Sequence, residues 1–566
     1  MALASVVRAH SPPCKGGVAA PVRKSREATK AAHTGGRSRN RPVSDHPGRS
    51  INGGFAKFPD VASTPPSQGG EYVRTMRQNQ HLFTRSFDTT LMKKILLILT
   101  AVLSARISLG QSTTILPFSI EASEDVANDF PGAPRLQSFS FAQWKGRWVF
   151  IGGRTSGYHA VGGGSAEFLR ADANRDIWVV DTNVKPAKTY HVPVAQLPAA
   201  LAPVQAQWTS TGQLYFQDGD ELYIAGGYGQ DENGKWSTFD VISRVSVPSL
   251  VDAVMHGHAL EKGIAFAKSS LVQSAGGGLT RLPDGYFYLV MGHTFFGSYT
   301  AFEGRGEQNG PEASQTYLNE IRKLSITEKG NGALSVSVVE KYPDETEFHR
   351  RDFNLAQTLS PAGLEFAAYG GVFTPDTQLS YSKPIYASAG TRPIADSTFH
   401  QKMNAYTCAV LSMYSDVTKV MYTTFFGGIS RFAWNPAKHA FEENRIVGGK
   451  SDSTYLDGLQ WSEQISTIQR SAAGTTESVH VNSLPAFLGT GAVFILAPEI
   501  SRAQSDTDIV ALDSLPEGKT FVGYIYGGIR AYPYRFPYLK FATPYNSGSV
   551  PSKPSDMILK VYVEKK

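Results

Sequence analysis

Cysteine is nearly absent from this chain of 566 residues, which contains only Cys14 and Cys408. Two cysteines cannot build the disulfide framework of a small secreted domain, nor the cysteine-rich ligand set of a structural zinc site. The fold must instead rest on a hydrophobic core, for which 41% hydrophobic residues are ample. We expect Cys408 to be a buried, unreactive thiol.

Charged residues are also scarce, at 18%, whereas glycine (54), phenylalanine (31) and tyrosine (25) are abundant. That composition is typical of short strands joined by tight turns and predicts an all-β protein. The net charge of +6 is unevenly distributed, because residues 1–91 contain 14 Lys and Arg against 5 Asp and Glu. The rest of the chain is mildly acidic, and nothing in it predicts binding to nucleic acid.

Long hydrophobic runs are missing apart from Ile95–Leu103. The basic stretch Met92–Lys94 precedes this run and the small residues Ser108–Gly110 follow it, which is the order of a secretory signal peptide. The run is too short for an ordinary transmembrane helix. A buried helix at this position is the alternative interpretation.

These features divide the chain into three parts. We predict that residues 1–91 are a disordered basic leader produced by an over-called start, that 92–110 is the signal peptide, and that 111–566 is the folded domain. The expected location is secreted, periplasmic or on the cell surface, without a further transmembrane segment. An organelle transit peptide within the leader is the alternative.

A hairpin pattern that ends in paired glycines recurs along the chain. Each copy reads as a strand, a tight turn such as Asp218-Gly219, and a second strand. The copies end at Gly152-Gly153, Gly226-Gly227, Gly292-His293, Gly370-Gly371, Gly427-Gly428 and Gly527-Gly528. Paired glycines suit a place where strands crowd and only a hydrogen side chain fits.

A strand led by an acidic residue follows most of these copies, as in residues 176–181 (DIWVVD) and 556–563 (DMILKVYV). The combined pattern, with residues 174–181 (NRDIWVVD) as the best match, resembles the kelch repeat over residues 113–566. This resemblance implies a kelch-type β-propeller. We predict six blades, with a seventh around Gly448-Gly449 as the alternative, and a ring closed by Ile115–Ile120 pairing beside the last strand.

Candidate site residues lie next to the paired glycines or just before an inner strand, where the loops of a propeller meet on its top face. They are Arg154, Tyr158, Tyr228, His293, Arg350 and Arg351. Aromatic faces stack on sugar rings or peptides, and arginine binds carboxylates through two hydrogen bonds. The alternative is that the aromatic residues only pack the long loops onto the ring.

No metal site or cofactor is predicted. His256 and His258 have the spacing of metal ligands on one face of a strand, but no third ligand is in view. The kelch resemblance also brings in copper-radical galactose oxidases and sugar mutarotases. The copper ligands of the oxidases cannot be assigned here.

The leading prediction is therefore a secreted binding module for an extracellular glycan, peptide or protein, held on the top face. The alternative is a metal-free carbohydrate-active enzyme, mutarotase-like or lyase-like, that uses the same pocket. A purely structural cell-surface protein without a pocket is the third interpretation, because fold alone does not choose among functions.

Overall fold

The structure is a computed structural model that describes residues 115–158, 168–231, 233–299, 313–376, 379–443, 459–532 and 552–566. All of these belong to one compact unit, Lys93–Lys566. The predicted leader, the signal segment and Gly448-Gly449 lie outside the described residues. Within the described ranges, no helix is long and apolar enough to cross a membrane.

Antiparallel strand pairing groups the described strands into sets of four, numbered here 1 to 6 along the chain. Sets 1, 2 and 3 are Ser140–Trp144, Arg147–Ile151, Asp176–Asp181 and Lys188–Pro193; Leu214–Asp218, Glu221–Ala225, Val241–Ser246 and Ile264–Lys268; and Gly278–Arg281, Phe287–Val290, Glu320–Gly330 and Ala333–Pro343. Sets 4, 5 and 6 are Asn354–Ser360, Gly363–Tyr369, Ile385–Ser388 and Ile394–Ala395; Ala409–Ser415, Val420–Ser430, Gln460–Ser471 and Gly474–Ser483; and Ala492–Leu496, Gly518–Gly527, Ile558–Lys565 and Phe118–Asp125. The arrangement confirms the all-β prediction and is compatible with a β-propeller.

Shorter elements decorate the sets. The α-helix Ala202–Trp208 follows set 1 and precedes set 2, and the α-helix Val247–His256 lies between the third and fourth strands of set 2. Small additional sheets are formed by Tyr228–Gln230, Trp236–Thr238, His293–Phe296 and Ser314–Tyr317; by Phe432–Asn435 and Ala440–Glu443; and by Ile529–Ala531 and Ser552–Pro554. Strand Ile509–Ala511 joins set 5 in parallel.

The N-terminal strand completes the last set. Phe118–Asp125 pairs antiparallel with Ile558–Lys565, which confirms the predicted closure, although the strand begins three residues later than Ile115. Ile120 and Val563 face each other in this pairing and are both fully buried. The fourth strand of set 6 therefore comes from the opposite end of the described chain.

The paired glycines connect neighbouring sets. The last glycine of each copy donates its backbone N–H to the carbonyl of a residue that precedes the next set, as in Gly153 to Ser210 at 2.8 Å. The other five bonds are Gly227 to Ser274, Gly292 to Arg350, Gly371 to Ala405, Gly428 to Leu488 and Gly528 to Leu136. Because Leu136 precedes set 1, the last bond returns to the start and the six sets form a ring.

The hydrophobic core is divided in the same way. Each pair of neighbouring sets encloses its own cluster of buried side chains, including one between sets 6 and 1 around Phe150 and Tyr526. Those two rings stack with centroids 4.5 Å apart. The core therefore lies between the sets, and the space at their centre is left open.

Gly226 tests the structural role of the glycine pairs. It has a φ of 62°, and a Cβ there would lie 1.9 Å from the carbonyl oxygen of Ser274 in the next set. Gly226→Ala should therefore lower the free energy of unfolding by more than about 2 kcal/mol, because it combines a left-handed backbone with a steric clash.

Gly234→Ala is the matched control, because Gly234 has a φ of 77° and a Cβ added there would meet no other atom within 4 Å. Gly234→Ala should lower the free energy of unfolding by only about 1 kcal/mol, the cost of placing alanine in a left-handed backbone. Urea unfolding of both variants measures the difference, and equal losses would contradict the proposed linkage between sets.

Candidate functional site

A cavity of about 790 Å³ lies along the axis at the centre of the ring. The first strand of every set contributes to its wall, through Phe141, Tyr215, Leu279, Leu355, Val410 and Phe494. Each first strand starts at the end of the cavity where the glycine pairs lie, because the second strand is antiparallel and ends in those glycines. We call this the upper end.

A collar of six residues surrounds the cavity at the upper end, one directly before or close to each first strand. Its members are Ser138, Gly212, Gly276, Asp352, Thr407 and Gly491. Five backbone hydrogen bonds of 2.7–3.1 Å join neighbouring members around the ring. In these bonds Gly276 donates to Gly212, Asp352 to Gly276, Thr407 to Asp352, Gly491 to Thr407, and Ser138 to Gly491. Five members are small, and Asp352 alone carries a charge.

The residues that follow the glycine pairs form a second tier. The structure shifts the assignment in set 3 by one residue: Met291 and Gly292 occupy the pair, with φ of 51° and 91°, and His293 follows it. The predicted Gly292-His293 pair was wrong because Met291 adopts the left-handed backbone usually reserved for glycine. Arg154, Tyr228 and His293 are thus equivalent, and Val372, Ile429 and Ile529 occupy the same position in sets 4 to 6.

The centre of the mouth is a group of polar side chains that contact one another. The guanidinium of Arg351 donates to Nδ1 of His293 at 3.0 Å and lies 3.4 Å from the Asp352 carboxylate. The Tyr406 hydroxyl donates to the same carboxylate oxygen at 3.0 Å. Gln315 also contacts His293 Nδ1 through its amide nitrogen. Because both partners of Nδ1 are donors, Nδ1 is the acceptor and Nε2 carries the proton.

Enclosure changes the protonation of this group. Burial lowers the pKa of His293 well below its ordinary value, and the charge of Arg351 lowers it further. Burial raises the pKa of Asp352, against the opposing effect of Arg351. Burial also opposes the charge on Arg351, but Tyr317 and Asp352 outweigh it and raise the pKa of Arg351. Burial therefore favours a neutral imidazole at His293 and a less acidic carboxyl group at Asp352, whereas Arg351 keeps its charge.

Aromatic residues continue the mouth toward Arg154. The Arg154 guanidinium lies over the Phe168 ring, 4.5 Å from its centroid, and 3.5 Å from the Asp172 carboxylate. Phe168 packs edge-on against Tyr228 at 5.8 Å. The Tyr228 hydroxyl donates to the Gly297 carbonyl at 2.7 Å, so this tyrosine holds the loop that follows the second strand of set 3 in place.

The opposite side of the mouth is apolar and packed. Val372, Ile429 and Ile529 are buried in a cluster with Trp461, and Tyr158 packs against it. The Tyr158 ring lies 5.7 Å from Trp461 and 6.2 Å from Tyr406. The polar residues of sets 1 to 4 therefore face an apolar wall across the mouth.

Arg350 does not line the cavity, although its sequence position predicted that it would. Its side chain is fully buried and donates to the carbonyls of Gly370, at 2.9 Å, and Lys383, at 3.1 Å. It also pairs with Glu347 at 3.2 Å. Arg350 and Arg351 are adjacent in an extended segment, so their side chains point in opposite directions. The other five predicted residues line the cavity.

Two further sequence features have plain structural outcomes. His256 ends helix Val247–His256, so the expected strand face was wrong, and both His256 and His258 contact Asp252. Among the described residues, no group of three or more potential ligands could hold a metal ion. Cys408 is buried, and burial raises the pKa of its thiol to about 12.

Four residues of the mouth were not among those predicted from the sequence: Asp352, Tyr406, Phe168 and Gln315. The signal for Asp352 and Tyr406 was positional, because each lies shortly before a first strand, as Arg351 does. No local pattern pointed to Phe168 and Gln315, which reach the mouth on long loops after the glycine pairs of sets 1 and 3.

Comparison with known proteins adds little. No protein-family model matches the chain, and no curated protein matches it. A solved structure titled "Structure of YjhT" is similar over 77% of this chain and 99% of that chain, with 12% sequence identity and a TM-score of 0.40. We base no functional argument on a similarity at that level.

The protonation of His293 predicts a specific pH dependence. The unfolded chain binds a proton at this residue near pH 6.5, and the folded chain binds it only at lower pH. The contribution of the neutral His293 to the free energy of unfolding is thus fully present above about pH 6.5. It decreases as the pH falls toward the pKa of His293 in the folded chain.

Urea unfolding of the wild type and His293→Asn at pH 7.5 and pH 5 should show a smaller loss of stability in the variant. The difference between the two proteins is the relevant quantity, since burial also lowers the pKa of His349 and His480. Imidazole ¹⁵N NMR should show a neutral ring protonated at Nε2, and a doubly protonated ring at pH 6 would contradict the assignment.

Proposed function

We propose that this chain is a secreted or periplasmic six-bladed β-propeller, each set being one blade, that binds an extracellular acidic glycan at its mouth. The observation that supports this best is the arrangement of Arg351. Its guanidinium faces the cavity, and its Nε, although 3.4 Å from Oδ2 of the neighbouring Asp352, makes no hydrogen bond in the described part of the chain. A buried cationic donor without a full set of partners favours an anionic ligand.

The surroundings favour a sugar over an extended peptide. The mouth combines aromatic rings with hydrogen-bonding groups of several kinds: the Tyr406 hydroxyl, the Gln315 amide and the Nε2–H of His293. Sugars bind through such a mixture, with apolar ring faces on aromatic residues and hydroxyls on polar groups. The collar of small residues leaves room for a compact ligand at the axis. A peptide or protein partner is the alternative interpretation of the binding site.

Arg351→Gln tests this proposal with D-galacturonate and D-galactose, which differ at the carboxylate. Wild-type protein should be stabilised by galacturonate, by about 2.7 kcal/mol at a concentration 100 times its Kd, and much less by galactose. Removing the guanidinium should weaken galacturonate binding about 10- to 100-fold, because hydrogen bonds to charged groups contribute about 1.5–3 kcal/mol.

The matched control is Arg392→Gln, because Arg392 is exposed outside the cavity and donates to the Pro343 carbonyl at 3.1 Å. Titration calorimetry should give it wild-type affinity. Binding that is equal for both sugars, or equally reduced in both variants, would argue against recognition of the carboxylate by Arg351.

A metal-free carbohydrate-active enzyme is the second candidate, and Asp352 is the observation that favours it. Asp352 has a left-handed backbone with φ of 54°, where three other collar members are glycine. Ser138 has the same backbone conformation, with φ of 55°, so the carboxylate is the feature that distinguishes Asp352 within the collar. A Cβ at Gly276 would lie 2.9 Å from Oδ1 of Asp352, so the glycine leaves space for the carboxylate. Its raised pKa suits proton transfer to and from a sugar.

If the protein is such an enzyme, Asp352→Asn should lower the rate about 10²- to 10⁴-fold while galacturonate still binds. NMR of freshly dissolved galacturonate would measure a mutarotase-like activity, as faster exchange between anomers. Ultraviolet absorbance of an unsaturated product from oligogalacturonate would measure a lyase-like activity. A wild-type protein that is inactive in both assays but binds galacturonate would leave the binding module as the function.

A further inference from the structure

The link between the first and second strands of set 6 is unlike the others. In sets 1, 2 and 4 this link is two residues long, as at 145–146, whereas in set 6 it covers residues 497–517. First strands run from the collar downward, so this segment leaves the set at the lower end of the cavity. We call residues 497–517 the floor segment.

The floor segment is anchored to set 5. Its strand Ile509–Ala511 pairs in parallel with Ser412–Tyr414 of the first strand of that set. Asp513 accepts hydrogen bonds from the Ser415 hydroxyl at 2.8 Å and the Val417 backbone at 3.0 Å. Ile509 and Val510 are fully buried. The segment is thus a fixed part of the fold.

Its first half folds back on this strand as a hairpin. Ala503 donates to the Ile509 carbonyl at 2.7 Å, Ala511 donates to the Ser501 carbonyl at 2.9 Å, and Arg502 bridges to Val510. Residues 504–508 form the tip. Arg502, Asp506 and Asp508 line the same cavity as the residues of the mouth.

The hairpin extends from set 5 toward the axis. One edge of the first strand of set 5 pairs with Val420–Ser430, and Ile509–Ala511 pairs with its other edge, which borders the cavity. Residues 501–503 pair with the far side of Ile509–Ala511, so two strand spacings, about 10 Å, separate them from set 5. The hairpin therefore lies across the lower end of the cavity.

We propose that the floor segment closes the lower end of the cavity, so that the site accepts the end of a glycan chain or a single sugar, and not the interior of a chain. This inference rests on the proposed binding of an acidic glycan at the mouth. A chain threaded along the axis would need an exit where the tip lies, whereas a chain end needs only the upper opening.

The first test compares galacturonate oligomers of increasing length by titration calorimetry. End binding predicts a Kd per mole of chain that stays within about twofold from the dimer to the octamer, since each chain has one competent end. Binding to internal residues predicts a Kd that tightens in proportion to the number of residues. The second pattern would overturn the proposal.

The second test needs no sugar, and it separates a failure of this inference from a failure of the proposed function. A reporter thiol is introduced as Tyr215→Cys in a background in which both native cysteines are replaced, Cys14→Ala and Cys408→Ala. In a shortened variant, residues 504–508 are replaced by two glycines, which keeps the pairing of Ala503 with Ile509 across a two-residue turn. Labelling by a biotin-linked maleimide should be at least tenfold faster in the shortened variant.

Methyl methanethiosulfonate, which is small enough to enter from above, should label the reporter in both backgrounds. Val417→Cys, exposed on a lower turn, should react equally fast in both and is the control for reagent quality. Thermal midpoints confirm that each variant is folded. An unchanged maleimide rate in a folded shortened variant would overturn closure, whereas a large increase without any sugar binding would overturn only the acidic-glycan function.

Discussion

One repeated hydrogen bond organises this protein: the N–H of the last glycine in each copy, donated to the residue that precedes the next set. The bond requires a left-handed backbone and a close approach of two sets, and glycine satisfies both at once. Because the sixth bond returns to Leu136, the series has no free end. The six hydrophobic clusters, the open centre and the collar are consequences of that closed series.

The same geometry explains why function-bearing side chains converge at the mouth. The residue that follows a glycine pair and the last residues before a first strand both lie at the upper end of the cavity, although alternate side chains of an extended segment turn away from it, as that of Arg350 does. Substitution at these positions leaves the glycine linkage between sets intact, because that linkage uses backbone atoms. Sets 1 to 4 carry arginine, tyrosine, histidine and aspartate there, whereas sets 4 to 6 carry the packed apolar wall.

The repeat was visible in the sequence because glycine pairs and acidic-led strands are local patterns, and so was the pairing of the first described strand with the last. What could not be seen was the conformation of individual residues. Met291 takes a glycine-like backbone and shifts one copy by a residue, and the direction of Arg350 against Arg351 depends on which side of an extended segment faces the axis. Phe168 and the floor segment depend on long-range packing, which no local pattern encodes.

The strand Phe118–Asp125 also constrains the order of folding. Ser119 bonds to Glu564, a partner 445 residues away, so the last set cannot form until nearly the whole chain has been synthesised. Contacts of such separation make folding slow. Until then, set 6 lacks its outer strand and set 5 exposes the surface that this strand covers. Closure of the ring is therefore coupled to burial of the apolar interface between sets 5 and 6, to which Phe118 and Ile120 belong.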